Sequence, residues 1–243
     1  MKSLIAFWNI LLKDIKTYYL KPPNISWGII FPLSWTLMQF LRSPDGDMLT
    51  LLPGLIAMSV LFGTTSMLAV TITFERSGRS FDRLLLAPIS LNLMVLAKIT
   101  GAIAFGLLNA LAPILFASFF VSLHAVDWGM VASAVLLIAI TSTLLGLLIA
   151  VSAKQVFEAQ TFSNFFRFPM LFVCGLFMPL SDLPAFLRPV SYCLPLTYGT
   201  DLLSDAITGT HMILPFFSIS MLFAFAVGLF AVCRININRI WIL

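Results

Sequence analysis

The sequence predicts an all-α integral membrane protein, and three observations lead to that class. Hydrophobic residues make up 60% of the 243-residue chain and charged residues only 10%, whereas a soluble domain is about a quarter charged. The mean hydropathy is +1.03. The apolar residues stand in long uninterrupted runs, not in the alternating segments of about ten residues that form membrane β-barrels, so helices are expected.

Six of these runs are suited to cross a bilayer, since a helix needs about 20 mostly apolar residues to span about 30 Å of hydrocarbon. We expect an interfacial helix at 1–23, followed by one six-span membrane domain at 24–243. The predicted spans are residues 25–41, 51–74, 99–123, 128–153, 161–180 and 213–232.

The segment before the first span is predicted to be an amphipathic helix lying in the inner membrane interface. It has no cleavable signal, and helical spacing groups Asn9, Lys13 and Lys16 on a polar face. The helix serves either as an anchor that orients the first span or, in addition, as a contact for a cytosolic subunit. Its apolar face is formed by Leu4, Trp8, Leu11, Ile15 and Tyr18.

Basic residues are concentrated on one side of the predicted spans, which places both termini in the cytoplasm. The opposite side holds only Arg42 and Arg188. The formal net charge of +4 therefore reflects membrane orientation, and no basic cluster is dense enough to predict nucleic-acid binding. The cytoplasmic side holds Lys2, Lys13, Lys16, Lys21, Arg76, Arg79, Arg83, Lys98, Lys154, Arg234 and Arg239.

The predicted spans lack the side chains that usually carry ions in secondary transporters. Such transporters hold Asp, Glu or His within the membrane, and none stands well inside these spans. Arg167 is the one charged exception, a few residues into span five. It either snorkels to the inner headgroups or pairs with Glu158 or with a carboxylate of another chain. Proton coupling is accordingly disfavoured.

The sequence predicts no catalytic residue, no metal site and no cofactor in this chain. It contains no glycine-rich phosphate-binding loop ending in Gly-Lys-Ser or Gly-Lys-Thr, so ATP hydrolysis by the chain alone is not expected. The cysteines at 174, 193 and 233 lack the spacing of metal ligands. An intramembrane enzyme would need a catalytic pair at membrane depth, and the polar stretch 63–66 has no His beside it. The energy for uphill transport would have to come from another polypeptide.

The long cytosolic loop after span two, 75–90, carries charge that is scarce elsewhere. It is either a solvated loop that obeys the positive-inside rule or a short amphipathic helix that docks onto a partner. A docking helix accounts for the apolar residues of the loop as well as its charges, whereas a solvated loop accounts only for its arginines. Apolar Phe81, Leu84, Leu85 and Pro88 can seat in a groove, surrounded by Glu75, Arg76, Arg79, Asp82 and Arg83.

The segment between spans five and six, 181–210, is too broken by proline to be one continuous helix. Pro184, Pro189 and Pro195 interrupt it, yet its aromatic and leucine residues keep it apolar enough to re-enter the membrane interface. The segment is either an interfacial loop with aromatic anchors or an outer gate over an exit route.

These two segments resemble the integral membrane permeases of type-2 ABC (ATP-binding cassette) transporters, and the likeness covers nearly the whole chain. In the cytosolic segment Arg79-Ser80 replaces the Gly-Thr pair of the family, and the glycine stands one place early at Gly78. In the outer segment Ser204 replaces a basic residue that is common in the family. The matching residues are Glu75, Asp82, Leu84, Leu85 and Pro88 in the first segment. The second likeness extends over 168–207, and its matching residues are Pro179, Pro184, Pro195, Tyr198 and Asp201.

The resemblance implies a permease subunit that exports a lipophilic or amphipathic substrate, of drug, lipid or glycolipid type, across the cytoplasmic membrane. A polysaccharide exporter and an ion-coupled secondary transporter are the alternatives. Within the chain, the resemblance also implies a coupling helix at 75–90 and two short outer helices that dip into the membrane and form a gate. As partners, it implies a second permease chain, identical or related, and two copies of a cytosolic ATPase that bind ATP and Mg. The resemblance assigns ATPase coupling to residues 75–76, 79, 81–85 and 88. It assigns the outer gate to Pro179, Pro184, Pro195, Tyr198 and Asp201.

Overall fold

A computed structural model describes residues 2–21, 25–42, 48–86, 89–176 and 180–240. Within these ranges all regular structure is helical, which confirms the predicted helical class. Short π-helical turns, Ile15–Tyr19 and Ser26–Ile30, follow the first helix and precede the second. The helices are α1 (Lys2–Asp14), α2 (Phe31–Arg42), α3 (Met48–Ser77), α4 (Ser80–Leu85), α5 (Leu91–Ser118), α6 (Trp128–Ser152), α7 (Val156–Val173), α8 (Arg188–Tyr192), α9 (Pro195–Thr208) and α10 (Pro215–Ile240).

Four of the described helices, α3, α5, α6 and α10, are long and apolar enough to cross a membrane. The first and fifth predicted spans correspond to α2, with 12 residues, and to α7, whose 18 residues include Glu158 and Arg167. Neither of these two helices meets the length and hydropathy of a span. The six-span count stays a prediction.

The helix of the third predicted span begins at Leu91, ahead of the predicted start at residue 99. Ser90 caps it, since the Ser90 hydroxyl accepts a hydrogen bond from the Leu93 amide. The predicted span began directly after Lys98. In the fold Lys98 is buried and ion-paired, so its charge does not end the apolar part of the helix.

The centre of the fold is α3, which packs against α5, α6, α7 and α9. Nearly all side chains of its middle part are buried. Close approach of α6 depends on Gly146, because a Cβ atom there would lie 2.4 Å from the Thr65 carbonyl oxygen of α3. The helix α3 is therefore in direct contact with four neighbouring helices.

The N-terminal helix α1 is apolar on two sides, which corrects the single apolar face predicted for it. Ile10 and Leu11 are buried with Asp14 where α1 lies along α5. Leu4 and Trp8, which were expected on the same face as Leu11, point outward and are exposed. A surface with exposed Leu and Trp suits contact with a membrane interface.

Candidate functional site

Four charged side chains from three helices meet at one end of the bundle, and we call them the charge cluster. Its members are Lys13 and Asp14 of α1, Glu75 in the last turn of α3, and Lys98 of α5. The Lys98 ammonium donates a hydrogen bond to Asp14 Oδ2 at 2.9 Å and lies 2.7 Å from Glu75 Oε2. Lys13 Nζ lies 3.0 Å from Asp14 Oδ1 and also donates a hydrogen bond to Glu75.

The charge cluster is neutral and largely inaccessible to solvent. The side chains of Asp14, Glu75 and Lys98 are 1% exposed or less, and buried charges are tolerated when they are paired. Burial lowers the pKa of the half-buried Lys13, but its hydrogen bond to Glu75 and the charge of Asp14 outweigh this effect and raise the pKa above its ordinary value. Lys13 is therefore held in its charged form.

The sequence identified Glu75 as a coupling residue but treated Lys13 and Lys98 only as markers of orientation. Asp14 was not assigned a role. An acidic residue next to the buried face of an amphipathic helix, together with a lysine inside an apolar run, is the pattern that could have predicted the charge cluster. The structure shows that Glu75 holds three helices together and does not present its carboxylate outward.

Arg76, the next predicted coupling residue, fastens α3 to α6. Its guanidinium donates to the carbonyl oxygens of Ala150, at 3.2 Å, and Ala153, at 3.4 Å. These carbonyls lie at the C-terminal end of α6, where helix carbonyl groups lack partners within the helix. Together with the charge cluster, Arg76 thus fixes the end of α3 to α1, α5 and α6.

A tight turn at Gly78 and Arg79 separates α3 from α4. Arg79 is exposed and has a φ of 56°, in the left-handed region that glycine adopts more readily. The Ser80 hydroxyl closes the turn by donating to the Glu75 carbonyl oxygen at 3.1 Å. Arg79 therefore takes a left-handed backbone conformation at the position where the family pattern has glycine.

The short helix α4 turns its main aromatic residue inward. Phe81 is buried in the chain's own core with Ile10, Leu68 and Met94, so it is not free to seat in a partner groove as the sequence suggested. Leu84 is half-buried against the same core, and Leu86 beyond the helix is 87% exposed. Of the remaining predicted coupling residues, Pro88 and the side chains of Asp82, Arg83 and Leu85 lie outside what the structure describes.

At the opposite end of the bundle, two short helices, α8 and α9, stand between α7 and α10. The Tyr198 hydroxyl donates to the Tyr192 carbonyl oxygen at 2.9 Å, which joins α9 to α8. Pro195 is the first residue of α9, a position where proline lacks no hydrogen bond, and Pro184 lies on an exposed turn. Pro179 lies outside the described residues.

Asp201 connects α9 to the start of α10. Its carboxylate accepts hydrogen bonds from the amides of Met212, at 2.8 Å, and Ile213, at 3.2 Å, just before α10 begins. Asp201 also lines a cavity of about 390 Å³, together with Thr200 and His211. The structure therefore gathers Pro195, Tyr198 and Asp201 on one helix beside a cavity and leaves Pro184 on a separate turn.

Arg167 neither snorkels nor pairs with Glu158, and its pairing with a carboxylate of another chain stays a prediction. It is fully buried, so it does not snorkel to a headgroup region. Glu158 accepts a hydrogen bond from the Lys154 amide at 2.8 Å instead, and among the described residues no carboxylate lies within ion-pair distance of Arg167. The guanidinium lies 4.4 Å from the centre of the Phe62 ring.

In the described part of the chain, no three His, Cys, Asp or Glu side chains are grouped to hold a metal ion.

Comparison with known proteins agrees with this architecture. The sequence profile of the ABC-2 type transporter family matches residues 5–208, which ends before α10. Proteins named inner membrane transport permease YadH, from Escherichia coli (strain K12) and from Shigella flexneri, are each 26% identical to this chain over 247 residues. The alignments cover 97% of this chain and 95% of each relative.

Proposed function

Because this chain belongs to the ABC-2 type transporter family, we propose that it is the permease subunit of an ATP-driven exporter. The family's permeases pair with an ATPase subunit. In the proposed complex two copies of a cytosolic ATPase bind ATP and Mg, and a second permease chain, identical or related, completes the route. The substrate is lipophilic or amphipathic, of drug, lipid or glycolipid type, and it moves outward.

We place the chain in the cytoplasmic membrane with six spans and both termini in the cytoplasm. The name of the Escherichia coli relative assigns that protein to the inner membrane, which supports this location. In this orientation α1, the charge cluster and α4 lie at the cytosolic end, and α8 and α9 lie at the outer end. The excess of Lys and Arg at the α1 and α4 end supports this orientation.

The observation that carries the proposal is the fixation of the cytosolic end of α3. The charge cluster binds it to α1 and α5, and Arg76 binds it to α6. Phe81 anchors α4 in the same core. A force applied to α4 by a closing ATPase would therefore reach α3, the most central helix, without being lost in a flexible loop.

At the outer end, the proposed gate consists of α8 and α9. Asp201 joins α9 to α10, and Thr200 donates a hydrogen bond to the Cys174 carbonyl oxygen at 2.6 Å, just beyond α7. Both helices that flank the gate in sequence are thus bonded to α9. A displacement of α7 or α10 would move α9 with it.

The proposal is tested by expressing the chain with an ABC ATPase subunit, which we expect to be encoded beside its gene, purifying both under gentle detergent, and reconstituting them in vesicles. We expect co-purification, and ATP-dependent accumulation of an amphipathic dye in inside-out vesicles. Recovery of the permease without the ATPase, with dye transport that persists and depends on an ion gradient, would favour a secondary transporter and reject the proposal.

A further inference from the structure

The strongest electrostatic anomaly in the described part of the chain is the buried charge of Arg167 in α7. Its guanidinium donates to the carbonyl oxygens of Ser163, at 3.2 Å, and Phe62, at 3.4 Å, and to Asn164 Oδ1 at 2.5 Å. All of these acceptors are neutral, and no described carboxylate is near. Since a buried charge is costly, an ionisable residue inside a membrane protein usually marks a functional site.

A small cavity lies beside this arginine, and we call it the Arg167 cavity. It has a volume of about 120 Å³, and Trp27, Phe62, Ser66 and Gln160 are among the residues that line it. Trp27 and Phe62 stack with ring centres 6.2 Å apart, which gives the cavity an aromatic wall. Its residues come from the segment before α2 and from α3 and α7, the helices of predicted spans one, two and five.

Two contacts connect the Arg167 cavity with the cation behind it. Phe62 lines the cavity and also carries the guanidinium over its ring. Gln160 lines the cavity and donates to Asn164 Oδ1 at 3.4 Å, the same oxygen that accepts from Arg167. The positive charge therefore lies one layer of side chains from the cavity, where the low dielectric of the interior preserves its field.

Ser66 provides an independent indication that the cavity binds a polar group. Its side chain is 8% exposed and lines the cavity, and its hydroxyl has no hydrogen-bond partner among the described residues. A buried hydroxyl usually has a partner, and Ser66 combines a hydroxyl without one with a position in the cavity wall.

We propose that the Arg167 cavity receives the acidic group of an anionic amphiphile, and that Arg167 supplies the counter-charge which selects it. This inference rests on the proposed export function and narrows its substrate class from amphipathic to anionic. The Ser66 hydroxyl donates to the acidic group, and the aromatic wall of Trp27 and Phe62 contacts the adjacent apolar part. A neutral analogue of the same shape leaves Arg167 without its counter-charge and binds more weakly.

The test compares two probes that differ only in charge, dansylaminoundecanoic acid and its primary amide. The chain with its ATPase is placed in nanodiscs of phosphatidylcholine, and binding is followed by dansyl fluorescence above the background of empty nanodiscs. We expect the wild type to bind the acid about tenfold more tightly than the amide. Arg167→Gln should bring the two affinities within about twofold, whereas Arg167→Lys should retain part of the preference.

A matched control is Arg234→Gln, because Arg234 is an exposed arginine of α10 that does not line the Arg167 cavity. This variant should keep the wild-type preference. If Arg167→Gln does not fold, Ser66→Ala serves instead. This variant should lower the affinity for the acid about threefold to tenfold and leave the affinity for the amide unchanged. Equal binding of acid and amide by the wild type, or an unchanged preference in a folded Arg167→Gln or Ser66→Ala protein, would overturn the inference.

The same nanodisc complex, moved into vesicles, separates this inference from the proposed function. ATP-dependent transport with no preference for the acid rejects the anionic specificity alone. Selective binding of the acid without ATP-dependent transport supports the Arg167 cavity and rejects the exporter.

Discussion

The Lys98 ammonium of α5 lies 2.7 Å from the Glu75 carboxylate of α3, and both side chains are buried. The two residues are separated by α4 and its flanking turns in sequence, so their contact closes the base of the proposed coupling segment. Asp14 of α1 completes the arrangement through its own bond to Lys98. The end of the bundle formed by α1 and α4 is therefore held by charge, whereas most of the bundle is held by apolar packing.

Removing the positive charge at position 98 should destabilise the protein strongly. In Lys98→Met the carboxylates of Asp14 and Glu75 keep only Lys13 as a cationic partner. Breaking a buried ion pair in this way costs about 3–5 kcal/mol. We expect a clearly lower midpoint of thermal unfolding in detergent, with α1 becoming accessible to protease. Lys154→Met is the control, since Lys154 is exposed and its side chain takes no part in the charge cluster. An unchanged midpoint in Lys98→Met would contradict the structural role of the charge cluster.

Replacing Arg79 by glycine should relieve the backbone of the turn before α4. A left-handed conformation costs a non-glycine residue about 1–2 kcal/mol, and glycine recovers part of this at the expense of greater freedom in the unfolded chain. We expect Arg79→Gly to raise the unfolding midpoint slightly and to keep transport. Gly209→Ala is the reverse control, because Gly209 has a φ of 70° and should lose stability. A folded Arg79→Gly protein that hydrolyses ATP but transports nothing would show that the arginine side chain itself is required.

Loss of the guanidinium of Arg76 should separate ATP hydrolysis from transport. In Arg76→Met the α6 carbonyls of Ala150 and Ala153 lose a donor, and α3 loses a direct connection to α6. We expect the complex to assemble and hydrolyse ATP, with several-fold less substrate moved per ATP. The measurement is the ratio of transport rate to phosphate release in vesicles. Arg239→Met, which removes an exposed arginine near the end of α10, is the matched control. Equal ratios in both variants would count against mechanical coupling through Arg76.

Substitution of Asp201 should impair the outer end without affecting the cytosolic end. Asp201→Ala removes the acceptor for the Met212 and Ile213 amides, which costs about 1–3 kcal/mol locally. We expect slower transport with normal binding of the ATPase subunit. Asp182→Ala, at an exposed carboxylate in the turn before α8, should leave transport unchanged. Loss of ATPase binding in Asp201→Ala would contradict a role confined to the outer gate.

The helical class and the four helices that meet the length and hydropathy of a span could be predicted from the sequence, because hydropathy and run length dominate in a membrane protein. The exact start of α5 could not, because Lys98 looks like a boundary until its partners Asp14 and Glu75 are brought next to it. The burial of Phe81 could not be predicted either, because its side chain faces inward only where α1 and α5 form a core around it. Arg167 is the clearest case, since its neutral acceptors come from α3 and from its own helix and no sequence pattern reports them.

The most direct test of the central claim is site-specific photo-crosslinking from the segment that follows α4. Benzoylphenylalanine is placed at Leu86, which is 87% exposed, and, as a control, at Phe186 of the opposite end, which is 75% exposed. Both proteins are expressed with the ATPase subunit, irradiated in the membrane and analysed for an adduct of the summed mass. We predict an adduct with the ATPase from position 86 and none from position 186. An adduct from position 186, or none from position 86 in a complex that transports, would contradict coupling through α4.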